Sequence, residues 1–111
     1  MALDALWTLE FEARGRSTNG GVIVLKNGHI LGGNNTHYYV GTFTTGGTKL
    51  EGQVRIAWYS GSRQTAWGDE AEVVEANVTG EAGGPNTIMG KASRSGHPDV
   101  SFRMAKQAEL P

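Results

Sequence analysis

Cysteine is absent from this chain, which removes disulfides, thiol catalysis and cysteine-ligated zinc together. Long apolar runs are also missing, and no segment approaches the roughly 20 residues needed to span a bilayer as a helix. Neither sign of charge dominates: ten Lys and Arg oppose eleven Asp and Glu. No global field therefore favours nucleic acid or an anionic membrane. The opening Met1-Ala2-Leu3-Asp4 has neither the basic start nor the apolar stretch of a signal peptide, so a cytoplasmic protein is expected. Proline is scarce, with three residues against 17 glycines in a chain of 111. That length suits a single domain, 1–111, with one modest core.

The glycines are spread along the chain, as Gly20-Gly21, Gly28, Gly32-Gly33, Gly41, Gly46-Gly47, Gly52 and onward to Gly96. A disordered tail would concentrate them; spaced glycines punctuate a strongly bent all-β domain. Between them the residues alternate with the period of two that a half-buried strand requires. Trp7, Leu9 and Phe11 share one face of a strand over Leu6 to Arg14. Arg14 to Gly20 reads as a polar turn. Asn27-Gly28 is a strong hairpin signal, and pairs Leu25 with Ile30 and Ile23 with Gly32 on one face.

A second hairpin runs from His37 to Tyr59. With Gly46-Gly47 as its two turn residues, Phe43 faces Leu50, Gly41 faces Gly52, Tyr39 faces Val54 and His37 faces Ile56. Ser60 to Asp69 is the longest loop. Alternation resumes over Glu70 to Thr79, around Ile88 to Ala92 and over Val100 to Met104, and the tail after Met104 reads as a short helical turn or a frayed end. These eight strands close most simply as an antiparallel up-and-down barrel, with a two-sheet sandwich as the competitor. The inward face carries Trp7, Phe11, Tyr39, Phe43, Trp58 and Phe102 among the large residues, with Gly32, Gly41, Gly52 and Gly90. Those glycines either let the strands coil around the aromatics or leave a cavity for a small ligand.

Catalytic patterns are sparse. No two of His29, His37 and His97 share metal-ligand spacing. Ser60, Ser62 and Ser95 lack a nucleophile-elbow context. Gly28-x-x-x-Gly32-Gly33 precedes no helix that could bind an anion. Neither enzymatic activity, a cofactor nor a metal is expected. His37 is aimed inward at the open end of its strand as a wet rim histidine, and with Tyr39 it would flank the mouth of any cavity. On the opposite face Val22, Val24 and Leu31 form an apolar cluster where polar residues are usual, a pattern that marks a protein contact, unless the tail or the loop 60–69, with Trp67, covers it. Asp69, Glu70, Glu72, Glu75 and Glu81 are segregated from Lys91, Arg94, Arg103 and Lys106. Such segregation either balances neighbouring strands or forms a docking surface.

The run from Gly20 to Gly33 (GGVIVLKNGHILGG), with Tyr38-Tyr39-Val40-Gly41-Thr42-Phe43, Leu50-Glu51-Gly52 and the opening Leu6-Trp7-Thr8-Leu9-Glu10-Phe11, resembles the GrlR-like family of bacterial negative regulators of type III secretion. The resemblance implies a small lipocalin-like (calycin-like) barrel, a homodimer, and regulation by binding a protein such as a transcriptional regulator. In that family's regulator an acidic Glu-Asp-Glu-Asp loop between the fourth and fifth strands binds the activator. Here the same connection reads Thr44-Thr45-Gly46-Gly47-Thr48-Lys49, with no acid. Two functions follow as expectations. The first is a non-enzymatic protein-interaction module with a filled barrel and contacts at Val22, Val24, Leu31 and Trp67. The alternative is a carrier of a lipid or other apolar ligand, with His37 and Tyr39 at its mouth.

Overall fold

A computed structural model describes residues 3–13 and 15–111. Eight strands follow one another: β1 Ala5–Ala13, β2 Arg16–Lys26, β3 His29–Gly33, β4 His37–Gly46, β5 Lys49–Trp58, β6 Val73–Ala82, β7 Thr87–Ser93 and β8 Val100–Ala108. Each pairs antiparallel with the next, and β8 pairs with β1 to close a barrel. Closure leaves no strand edge unpaired.

The first hairpin is as the sequence predicts. Asn27 and Gly28 take φ of 51° and 78°, both positive as a type I′ turn demands, and Leu25 faces Ile30. The second hairpin turns one residue later than expected. Gly46 pairs with Lys49, leaving Gly47-Thr48 at the turn. Of these two only Gly47 has positive φ, at 61°, the arrangement of a type II′ turn with glycine first. Phe43 consequently faces Gly52, Gly41 faces Val54, Tyr39 faces Ile56 and His37 faces Trp58. A slide of two residues changes every partner but no face.

Three segment boundaries also differ, among them that of β6, which spans Val73–Ala82 where alternation covers Glu70 to Thr79. The polar run from Arg16 to Gly20 is strand, because Ala13 pairs with Arg16 and the ladder with β1 continues from there. Arg14, assigned by alternation to the end of β1, lies outside the described residues. A bulge beside Leu9 and Glu10 absorbs Gly20. The segment after Met104 continues as strand to Ala108, hydrogen-bonded to β1, where a helical turn or fraying was expected. Pairing with Thr8, Trp7 and Leu6 holds it extended.

The inward residues pack into one core that includes Trp7, Leu25, Val74, Ile88 and Val100, each at most 2% exposed. Trp58 is a correction. It is only partly buried, donates its indole N–H to the Gly61 carbonyl at 3.0 Å, and lies under the Arg63 guanidinium at 4.9 Å. As the last residue of β5 it has passed the barrel rim, where the chain turns into the long loop. Trp67, from that loop, is buried in its stead.

The inward glycines mark close strand approach. A Cβ on Gly32, Gly41, Gly52 or Gly90 would sit 2.0–2.4 Å from a carbonyl oxygen of the adjacent strand. The sheet bends there too tightly for any side chain, so these glycines do not open a ligand cavity.

Candidate functional site

Inside the barrel, a void of about 50 Å³ remains among Leu9, Ile23, Tyr39, Val54, Phe102 and their neighbours. That is a third of the roughly 150 Å³ that admits a benzene-sized guest. The larger space lies at the end of the barrel formed by the β1–β2, β3–β4, β5–β6 and β7–β8 connections. This recess measures about 370 Å³, within the range of small-molecule sites.

Three segments build it. The β1–β2 hairpin supplies Phe11, Ala13 and Arg16 to Asn19; the β3–β4 connection supplies Asn34 to His37, with Tyr39; the β5–β6 loop supplies Gln64 to Gly68. Asn34 organises the second segment: its Oδ1 accepts from the backbone N–H groups of Thr36 and His37 at 2.9 and 2.8 Å. The Tyr39 hydroxyl donates to the carbonyl of the bulged Gly20 at 2.7 Å, and burial raises its pKa above the ordinary value of 10.0. Tyr39 also meets Phe11 edge-on, with ring centroids 6.4 Å apart.

The sequence places His37 and Tyr39 at a mouth, and both line this recess. His37 is buried, at 4% exposure, where a wet rim residue was expected. Its Nδ1 lies 2.7 Å from the Thr36 hydroxyl, while Nε2 is the one buried side-chain polar atom without a hydrogen-bond partner among the described residues. Burial lowers the imidazole pKa below its ordinary 6.5, opposed by the nearby Arg63 backbone. Burial thus favours the neutral ring.

The β5–β6 loop is latched across this end. Arg94 donates two hydrogen bonds of 2.8 Å to the Asp69 carboxylate, and Thr65 Oγ1 donates to the same carboxylate. The Trp67 indole N–H donates to the Pro98 carbonyl at 2.8 Å, under the Arg94 guanidinium. Arg94, followed by Thr65, holds the Asp69 carboxyl well below the usual carboxylate range. A depressed carboxyl pKa stabilises the folded state above the unfolded value, near 3.9, and that contribution is lost as pH falls from there toward the lowered folded value. Asp69 is partly exposed, so solvent screens the pair. Asp69→Asn should cost about 1–2 kcal/mol at pH 7. Urea unfolding of variant and parent should show that gap narrowing below about pH 4; a gap independent of pH would rule out the ionised latch.

Trp67 is thus withdrawn from the outer apolar face: it is 6% exposed and lines the recess. The remaining face residues are where alternation puts them, and the patch is larger than the sequence suggests. Val24, Leu31 and Val40 stand in one cross-strand row. Val22, Tyr38 and Val73 follow the adjacent row, interrupted at Gly33 and at the buried Ala57. Val22, Leu31, Tyr38 and Val40 are each 44–48% exposed; Val24 is half-buried. Tyr38 and Val40 were legible as outward residues of β4, but only the β3–β4 pairing joins them to Leu31.

The segregated acids meet arginines. Asp69 pairs with Arg94 at 2.8 Å, Glu75 with Arg55 at 2.7 Å and Glu72 with Arg63 at 3.4 Å. Balance between neighbouring segments accounts for these three. Among the described residues no group of three His, Asp or Glu side chains could hold a metal ion, and no helix is long and apolar enough to cross a membrane. The chain matches no protein-family model and no curated protein.

Proposed function

We propose that this protein is a non-enzymatic regulatory module of the cytoplasm that acts by binding another protein, and that the apolar outer face of β2 to β5 is its contact surface. The carrying observation is the contiguity of that face: Val22, Leu31, Tyr38 and Val40, each about half exposed, lie on three consecutive strands. An exposed apolar patch of this kind marks an interaction site more often than a defect. The reading accords with the resemblance to GrlR-like regulators and a lipocalin-like barrel. Because the β4–β5 turn lacks the acidic loop, the contact is assigned to the apolar face instead. An interior void of about 50 Å³ disfavours the lipid-carrier alternative.

A second copy of the chain is the first occupant. A closed barrel offers no edge for strand addition, so two copies associate face to face, and an isologous contact needs one self-complementary patch. Leu31→Glu combined with Val40→Glu should leave the circular dichroism spectrum unchanged and shift the molar mass from dimer to monomer in light scattering. Dimerisation through apolar surface should also persist in high salt, where charge-mediated contacts weaken. A parent protein that is monomeric at about 100 μM, weaker than any stable dimer, would overturn the homodimer.

A further inference from the structure

The recess at the barrel mouth carries an inference independent of the outer face. We propose that it is a binding site for a small monocarboxylate with an aryl or short alkyl body. Arg16 receives the carboxylate, while Phe11, Ile56 and Trp67 receive the body. At about 370 Å³ the recess has the size of small-molecule sites, roughly 300–1,000 Å³, while the barrel interior does not.

Its charge pattern selects the ligand class. Arg16 is the single Lys, Arg, Asp or Glu among the described lining residues, and it forms no salt bridge among the described residues. One guanidinium with no acid among the described lining residues favours a negative charge, and its fork matches a carboxylate bidentately. Among the described lining residues a bound cation would find no counter-charge, and a phosphate dianion would find no second cation. Beside its polar lining, Phe11, Ile56 and Trp67 offer apolar surface suited to a hydrocarbon body. The lining also includes the buried His37.

Three isosteric probes test the site: 4-phenylbutyrate, 4-phenylbutanamide and 4-phenylbutylamine, each followed by calorimetry and tryptophan fluorescence. The acid should bind one to one at submillimolar Kd, the amide at least about tenfold more weakly, a difference near 1.4 kcal/mol, and the amine not measurably. Arg16 is exposed, so Arg16→Gln should fold normally, lower the acid to the affinity of the amide and leave the amide unchanged. Trp67→Phe should remove the fluorescence response while calorimetric binding persists. The site is overturned by equal binding of all three probes, by no saturable binding of the acid up to about 10 mM, by an acid affinity indifferent to Arg16→Gln, or by a fluorescence response that survives Trp67→Phe.

Discussion

Trp7→Ala should cost about 3–5 kcal/mol of folding stability, while Trp58→Ala should cost about 1–2 kcal/mol. Both tryptophans occupy inward positions in the period-two pattern, yet their surroundings differ. Trp7 is 1% exposed and donates its indole N–H to the Leu3 carbonyl at 3.0 Å. Truncating it leaves a large cavity and removes the partner of that buried carbonyl, and the two losses add. Trp58 sits past the barrel rim, where its ring meets Arg63 and the Gly61 carbonyl at the surface. Its removal forfeits a cation–π contact and one exposed hydrogen bond, and water fills the space. Denaturant midpoints of the two variants decide the matter. Equal losses would mean that β5 remains inside the barrel to its last residue.

The second large effect lies in the glycines. Gly41→Ala should destabilise the barrel by about 1–3 kcal/mol or more, although it adds one methyl group. Gly41 has no unusual φ, so the cost is steric. The new Cβ would lie 2.1 Å from the Gln53 carbonyl oxygen and 2.8 Å from the Val54 Cα. Backbone cannot swing aside as a side chain can, so β4 and β5 would have to separate and weaken the ladder between them. Gly46→Ala is the control. Nothing lies within 4 Å of its added Cβ, and its φ is not positive. That substitution should be neutral or stabilising by up to about 1 kcal/mol, because it restricts the unfolded chain. Comparable losses at both positions would show that conformational entropy, and not strand approach, sets the value of glycine here.

Much of the barrel was legible in local pattern. Side-chain direction in a strand depends on parity alone, so Leu9, Ile23, Leu25, Tyr39, Val54 and Phe102 can be placed inward from their spacing, and all six are buried. Asn27-Gly28 defines its turn because that pair adopts two positive φ values at little cost. Gly46-Gly47-Thr48 is degenerate by comparison. A type I′ turn on the glycines and a type II′ turn one residue later are both sterically open, and the two registers present identical faces. Contacts beyond the hairpin choose between them: β5 must also align Ile56 with Val74 and Val54 with Ala76 on β6.

The recess was less legible than the core. His37 and Tyr39 could be placed near an opening because parity and strand position are local properties. Arg16, Asn19 and Asn34 carried no signal, since polar residues in a connection look alike whether they face solvent or a shared cleft. Trp67 misled for the same reason: an aromatic in a polar loop can cover a surface patch or plug a barrel end. One late signal was available in Asp69 and Arg94, whose opposite charges could have suggested a staple between two connections.

The sequence by itself determined the strands, their faces, the first hairpin and the apolar character of the outer patch, because each follows from a period of two or a turn dipeptide. Only the tertiary structure decided the second register, the partial exposure of Trp58, the burial of Trp67 and His37, and the recess around Arg16. Apart from the register, which the alignment of β5 with β6 sets, those depend on where a long connection lies after the barrel has closed. That placement is set by pairings between residues far apart in the chain, Asp69 with Arg94 and Trp67 with Pro98, which no local pattern encodes.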